Sequence, residues 1–67
     1  MLKDVIEIHE NFVNGNIRDA VKLIDEMGAS EFFPDYQDYL FDHCYHTPSE
    51  YEFFRGLVLA YFRIKGR

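Results

Sequence analysis

The chain has 67 residues, with seven Lys or Arg against twelve Asp or Glu, a formal net charge of −5 at pH 7 and a single cysteine, Cys44. A chain this short makes one domain, residues 1–67, and buries only about 60% of the surface its unfolded form exposes, so its core is thin. One cysteine excludes an internal disulfide framework and fits a reducing, cytoplasmic setting, and the acidic balance disfavours direct binding to nucleic acid, which draws its affinity from Lys and Arg.

The first residues, Met1-Leu2-Lys3-Asp4, are charged and lead into an amphipathic segment that lacks the apolar stretch and small-residue cleavage site of a signal peptide. The longest apolar run, 57–62, falls well short of the roughly 20 residues a membrane span needs. A soluble protein with no membrane association is expected.

Leu2, Val5, Ile6, His9, Phe12 and Val13 recur at helical spacing and predict a first helix over 2–13. Asn14-Gly15-Asn16 ends it, because Gly and Asn tolerate the left-handed conformation that closes a helix. Asn16 can then cap a second helix to Met27, with Ile17, Ala20, Val21, Ile24 and Met27 on its apolar face and Gly28 just past its end. So short a loop predicts a helical hairpin with facing apolar stripes.

Residues 29–33 read as a connector, with Pro34 opening a third helix over 34–45 that carries Phe33, Tyr36, Leu40 and Cys44 along one side. Thr47-Pro48-Ser49-Glu50 reads as a capping box that starts a fourth helix, 48–65, the longest of the set. Arg63, Lys65 and Arg67 complement its dipole at the far end. Between Tyr51 and Ile64 only Glu52, Arg55, Gly56 and Arg63 are not apolar. Such a helix must either run through the middle of the fold or share an interface with another chain. The expected fold class is all-α, a compact bundle of about four short helices.

No lysine or arginine stands between Lys22 and Arg55, yet eight carboxylates do. Four of them, Glu31, Asp35, Asp38 and Asp42, are spaced by four, three and four residues and share a face if the helix is well formed. Such a row serves either as a solvated surface or as a strip that engages a basic partner. Asp42, His43, Cys44 and His46 resemble a metal cluster, but structural zinc takes four ligands, usually in two separated pairs, and no second pair exists. Cys44 beside His9, His43 or His46 lacks the orienting group and oxyanion site that thiolate catalysis needs. Neither a cofactor nor an enzymatic activity is expected.

The string from Gly15-Asn16-Ile17-Arg18-Asp19-Ala20 through Val21-Lys22-Leu23-Ile24-Asp25-Glu26-Met27, with Pro34-Asp35 and Tyr39 after it, resembles one pentatricopeptide-type helical repeat over residues 15–39. The resemblance implies a helical hairpin and, in a stacked array, binding to single-stranded RNA. This chain shows one copy where an array needs neighbours, and its acidic stretch opposes an RNA groove, so no binding residues are transferred.

Two functional expectations follow. The first is an interaction module, an inhibitor or regulator, that docks Glu31, Asp35, Asp38 and Asp42 with Tyr39 and Tyr45 onto a protein with a basic, nucleic-acid-binding surface. The second is a homodimer or larger homo-oligomer formed through helix 48–65 by Tyr51, Phe54, Val58, Tyr61 and Phe62, with the acids serving only solubility.

Overall fold

The computed structural model describes residues 2–43 and 48–66, and among these the chain forms a compact all-α bundle of four helices. They are α1 (Leu2–Val13), α2 (Ile17–Met27), α3 (Ala29–His43) and α4 (Pro48–Lys65), the last being the longest at 18 residues. No described helix is long and apolar enough to cross a membrane.

The turn between α1 and α2 follows from Gly15. Its φ of +88° lets the chain fold back so that its N–H reaches the Phe12 carbonyl at 3.1 Å and the Asn16 N–H reaches the Asn11 carbonyl at 2.8 Å. These two bonds satisfy carbonyls that the helix end leaves open, the Schellman pattern. The Asn16 side chain makes no capping bond to α2; it donates instead to Asn11 Oδ1 at 3.4 Å. Helices α1 and α2 therefore form the expected hairpin; Asn16 stands at the N-cap of α2, its carbonyl accepting from the Ala20 N–H at 3.0 Å, while its side chain serves the turn.

The expected connector at 29–33 is helical. Gly28, at φ +103°, donates to the Ile24 carbonyl at 2.8 Å and accepts from the Phe32 N–H at 2.9 Å, so one residue closes α2 and opens α3. Pro34 lies inside α3 and not at its start. A proline there forfeits one main-chain bond. The helix persists through it because the extra turn seats Phe32 at 0% exposure, in line with Tyr36 and Leu40. Fully burying one such side chain is worth about 1.5–3 kcal/mol, on the scale of the proline penalty.

The core draws on all four helices: Val5 and Ile8 from α1, Ala20 and Ile24 from α2, Phe32, Tyr36 and Leu40 from α3, and Leu57 from α4. Tyr36 is a polar side chain at 0% exposure, and its hydroxyl is hydrogen-bonded to His9 Nδ1 at 2.8 Å. His9 is half-buried, with the rings of Tyr36, Tyr39 and Phe53 at centroid distances of 5.6, 5.5 and 5.1 Å. Burial pushes its imidazole below the ordinary histidine value, against a smaller upward pull from Glu10.

Helix α4 does not run through the middle. Among residues 51–65 of α4 only Leu57 is buried. Phe53, Phe54, Val58, Ala60, Tyr61 and Ile64 are half-buried, while Tyr51, Leu59 and Phe62 are 72%, 53% and 62% exposed. Gly56 permits a close approach to α1, since a Cβ built there would lie 3.1 Å from Phe12 Cζ. The Thr47 capping residue, Cys44, Tyr45 and His46 lie outside the described residues, as do the side chains of Ser49 and Glu50.

Candidate functional site

Because α3 starts at Ala29, Glu31 belongs to the same helix as Asp35, Asp38 and Asp42. At 100° per residue the four carboxylates fall within about 60° of arc and extend over about 16 Å of helix. All four are exposed. Among the described residues the ion pair joins Lys65 to Asp25 at 2.8 Å, and none of these four takes part in one.

Tyr39 flanks the stripe. It is half-buried, lies 5.5 Å from the His9 ring, and stacks on His43 with centroids 4.4 Å apart and planes 26° from parallel. The His43 ring is fixed in turn by donation from Nδ1 to the Tyr39 carbonyl at 2.9 Å. Val5, Asp35, Asp38, Tyr39, Asp42 and His43 line a shallow groove of about 290 Å³ between α1 and α3. The structure thus brings Asp35, Asp38, Asp42 and Tyr39 together at one groove. Glu31 continues the stripe one turn beyond, and Tyr45 lies outside the described residues.

Two features of this surface were not visible in the sequence. Phe41, 52% exposed, stands on the flank opposite Tyr39; only the helix phase separates it from the buried aromatics beside it. A second acidic groove, of about 140 Å³, is lined by Asp4, Glu7 and Glu26 with Ile8, Leu23 and Met27. Its carboxylates come from two helices, and no linear spacing announces them. Among the described residues no group of three or more His, Cys, Asp or Glu is arranged to hold a metal ion. Of the cluster weighed from the sequence, Asp42 and His43 belong to the α3 groove.

The five residues considered for an oligomer interface divide between two faces of α4. Phe54 and Tyr61 turn inward: the Phe54 ring lies 6.0 Å from Phe33 and 6.2 Å from Tyr36, and the Tyr61 ring lies 5.7 Å from Phe33. The Tyr61 hydroxyl donates to Asp25 Oδ1 at 3.0 Å, beside the Lys65 pair. The Lys65 hydrogen bond holds Asp25 below the usual carboxylate range, and the same bond raises Lys65. Burial, followed by Asp25, raises the Tyr61 phenol. Tyr51 and Phe62 turn outward, with half-buried Val58 between them and Leu59 alongside.

Comparison with family models, with curated proteins and with solved structures gives no match.

Proposed function

We propose that this chain is an acidic protein–protein interaction module that acts by binding in the cytoplasm, its α3 face docking onto a basic surface of a partner protein. The observation that carries the reading is the row of four exposed carboxylates on one stripe of α3, unpaired among the described residues. Like charges at these spacings repel by about 0.2–0.5 kcal/mol per pair. A basic partner turns that repulsion into attraction, so the stripe is better satisfied in a complex than alone. Tyr39, at the rim of the groove and held by His43, supplies an amphipathic ring of the kind enriched where binding energy concentrates. A surface of this sign speeds encounter with positive targets and loses affinity as salt rises. A partner whose basic surface holds nucleic acid would be blocked by the module, which makes an inhibitor or regulator the matching role.

The test is affinity capture from a native lysate by the chain and by an Asp35→Lys, Asp38→Lys, Asp42→Lys variant, at low and moderate salt. Captured proteins should be basic, should be released as salt rises, and should be lost from the variant. Equal capture by both chains refutes the reading.

A further inference from the structure

The geometry points to a second interface on a different helix: α4 pairs antiparallel with α4 of a second copy of this chain. Tyr51, Arg55, Val58 and Phe62 follow one another at spacings of four, three and four residues and lie within about 60° of arc on the outward side of α4. Leu59, Glu52 and Arg63 follow along one flank of that stripe. Tyr51, Phe62 and Leu59 are the exposed large apolar residues of this helix. From Tyr51 to Phe62 the stripe is about 16 Å long, about half of the longest molecular dimension of 33 Å.

The charges choose the occupant. Glu52 and Arg63 are both exposed, stand on the same flank, and form no ion pair among the described residues. Eleven residues apart on one helix, they are about 16 Å from each other and cannot pair within a chain. A two-fold axis perpendicular to α4 between Leu57 and Val58 brings that flank against itself with its direction reversed. Glu52 of each copy then stands level with Arg63 of the other, which gives two symmetric pairs. A parallel arrangement would set the flank against Phe54 and Lys65 and leave Glu52 without that partner in register.

The same axis interleaves the stripe. Tyr51 comes level with Ile64 of the second copy, Arg55 with Ala60, Val58 with Leu57 and Phe62 with Phe53. Along the shared seam the projecting side chains therefore alternate between the copies, and each Arg55 falls between Phe62 and Val58 of the other. There its stem covers apolar surface and its guanidinium meets an aromatic face. This pairing uses none of the α3 carboxylates, so it stands or falls apart from the docking reading above.

Sedimentation equilibrium of the full chain from micromolar to hundreds of micromolar tests it, the expected mass rising from 8.0 kDa to twice that value. Phe62→Glu should give a monomer with unchanged helicity, since that side chain is exposed in the isolated fold; Leu59→Lys provides the same check if Phe62→Glu fails to fold. Glu52→Arg and Arg63→Glu should each weaken the dimer about tenfold or more, because each puts like charges in register twice. The combined exchange should restore it. In a Cys44→Ser background, Val58→Cys should cross-link under mild oxidation and Tyr51→Cys should not, its two copies lying about 20 Å apart along the axis. The Asp35→Lys, Asp38→Lys, Asp42→Lys variant should still dimerise. A monomer across the whole concentration range overturns the inference, as does a dimer indifferent to Phe62→Glu and Leu59→Lys, failure of the combined exchange to restore pairing, or cross-linking at position 51 in place of 58.

Discussion

Leu57 is the one described α4 residue with no exposed surface, and truncating it tests how that helix is held to the bundle. Leu57→Ala removes three buried carbons and leaves a cavity among side chains contributed by the other helices. Substitutions of this kind cost about 2.7–5 kcal/mol, depending on how far the surroundings collapse. A 67-residue domain has about 3–10 kcal/mol of stability in total, at about 0.05–0.15 kcal/mol per residue. The single change should therefore remove from about a quarter of that stability to all of it. Leu59→Ala, two residues on and 53% exposed, removes the same atoms from a surface site and should alter monomer stability by less than about 0.5 kcal/mol. Urea unfolding followed by circular dichroism, at concentrations low enough to keep the chain monomeric, compares the two. Similar losses from both variants, or a Leu57→Ala loss under about 1 kcal/mol, would show that α4 does not dock through Leu57 and would refute the packing described above.

Three further outcomes are expected. The His9 imidazole is held below its ordinary value by burial, so as pH falls the unfolded chain takes up its proton first. The stability owed to neutral His9 is present above about pH 6.5 and drains away as pH drops through the depressed folded value; chemical denaturation across that window should show the loss, and His9→Gln should flatten it. Gly28→Ala should cost about 1–3 kcal/mol from backbone strain alone, because φ there is +103° and nothing lies within 4 Å of the added Cβ; thermal unfolding measures it. Asp25→Asn removes the negative charge that adds to the elevation of the Tyr61 phenol, so Tyr61 should titrate lower in an NMR pH series while keeping the part of its shift that burial causes.

Helices α1 and α2 were legible because their apolar periodicity and their glycine stops agree. Val5, Ile8, Ala20 and Ile24 fill the core from the side that the hairpin predicts. Ile8 lies off the predicted first stripe, because Val5, Ile6 and His9 mark a slightly different helix face. The start of α3 departs from the sequence expectation for a different reason. Proline is most comfortable in a first turn, a local preference that masks the Phe32, Tyr36, Leu40 spacing, which only burial shows to be one continuous row. The acidic stripe was legible as a spacing but not as a single-helix surface until α3 was extended back to Ala29. On α4 the residue types pointed to more apolar surface than one bundle can cover. They did not say which aromatics turn inward, because Phe54 and Phe62 differ only in helix phase relative to Phe33 and Tyr36.

The one-residue junction at Gly28 couples two rotations that are independent in most helical proteins. With no slack between α2 and α3, inserting or deleting a residue there turns α3 by about 100° about its own axis. Phe32, Tyr36 and Leu40 would swing out of the core together, and one of the two changes would carry the carboxylates toward it. The packing of the bundle and the direction in which its charge faces are thus phased by a single dihedral pair, so selection acting on either one constrains the other.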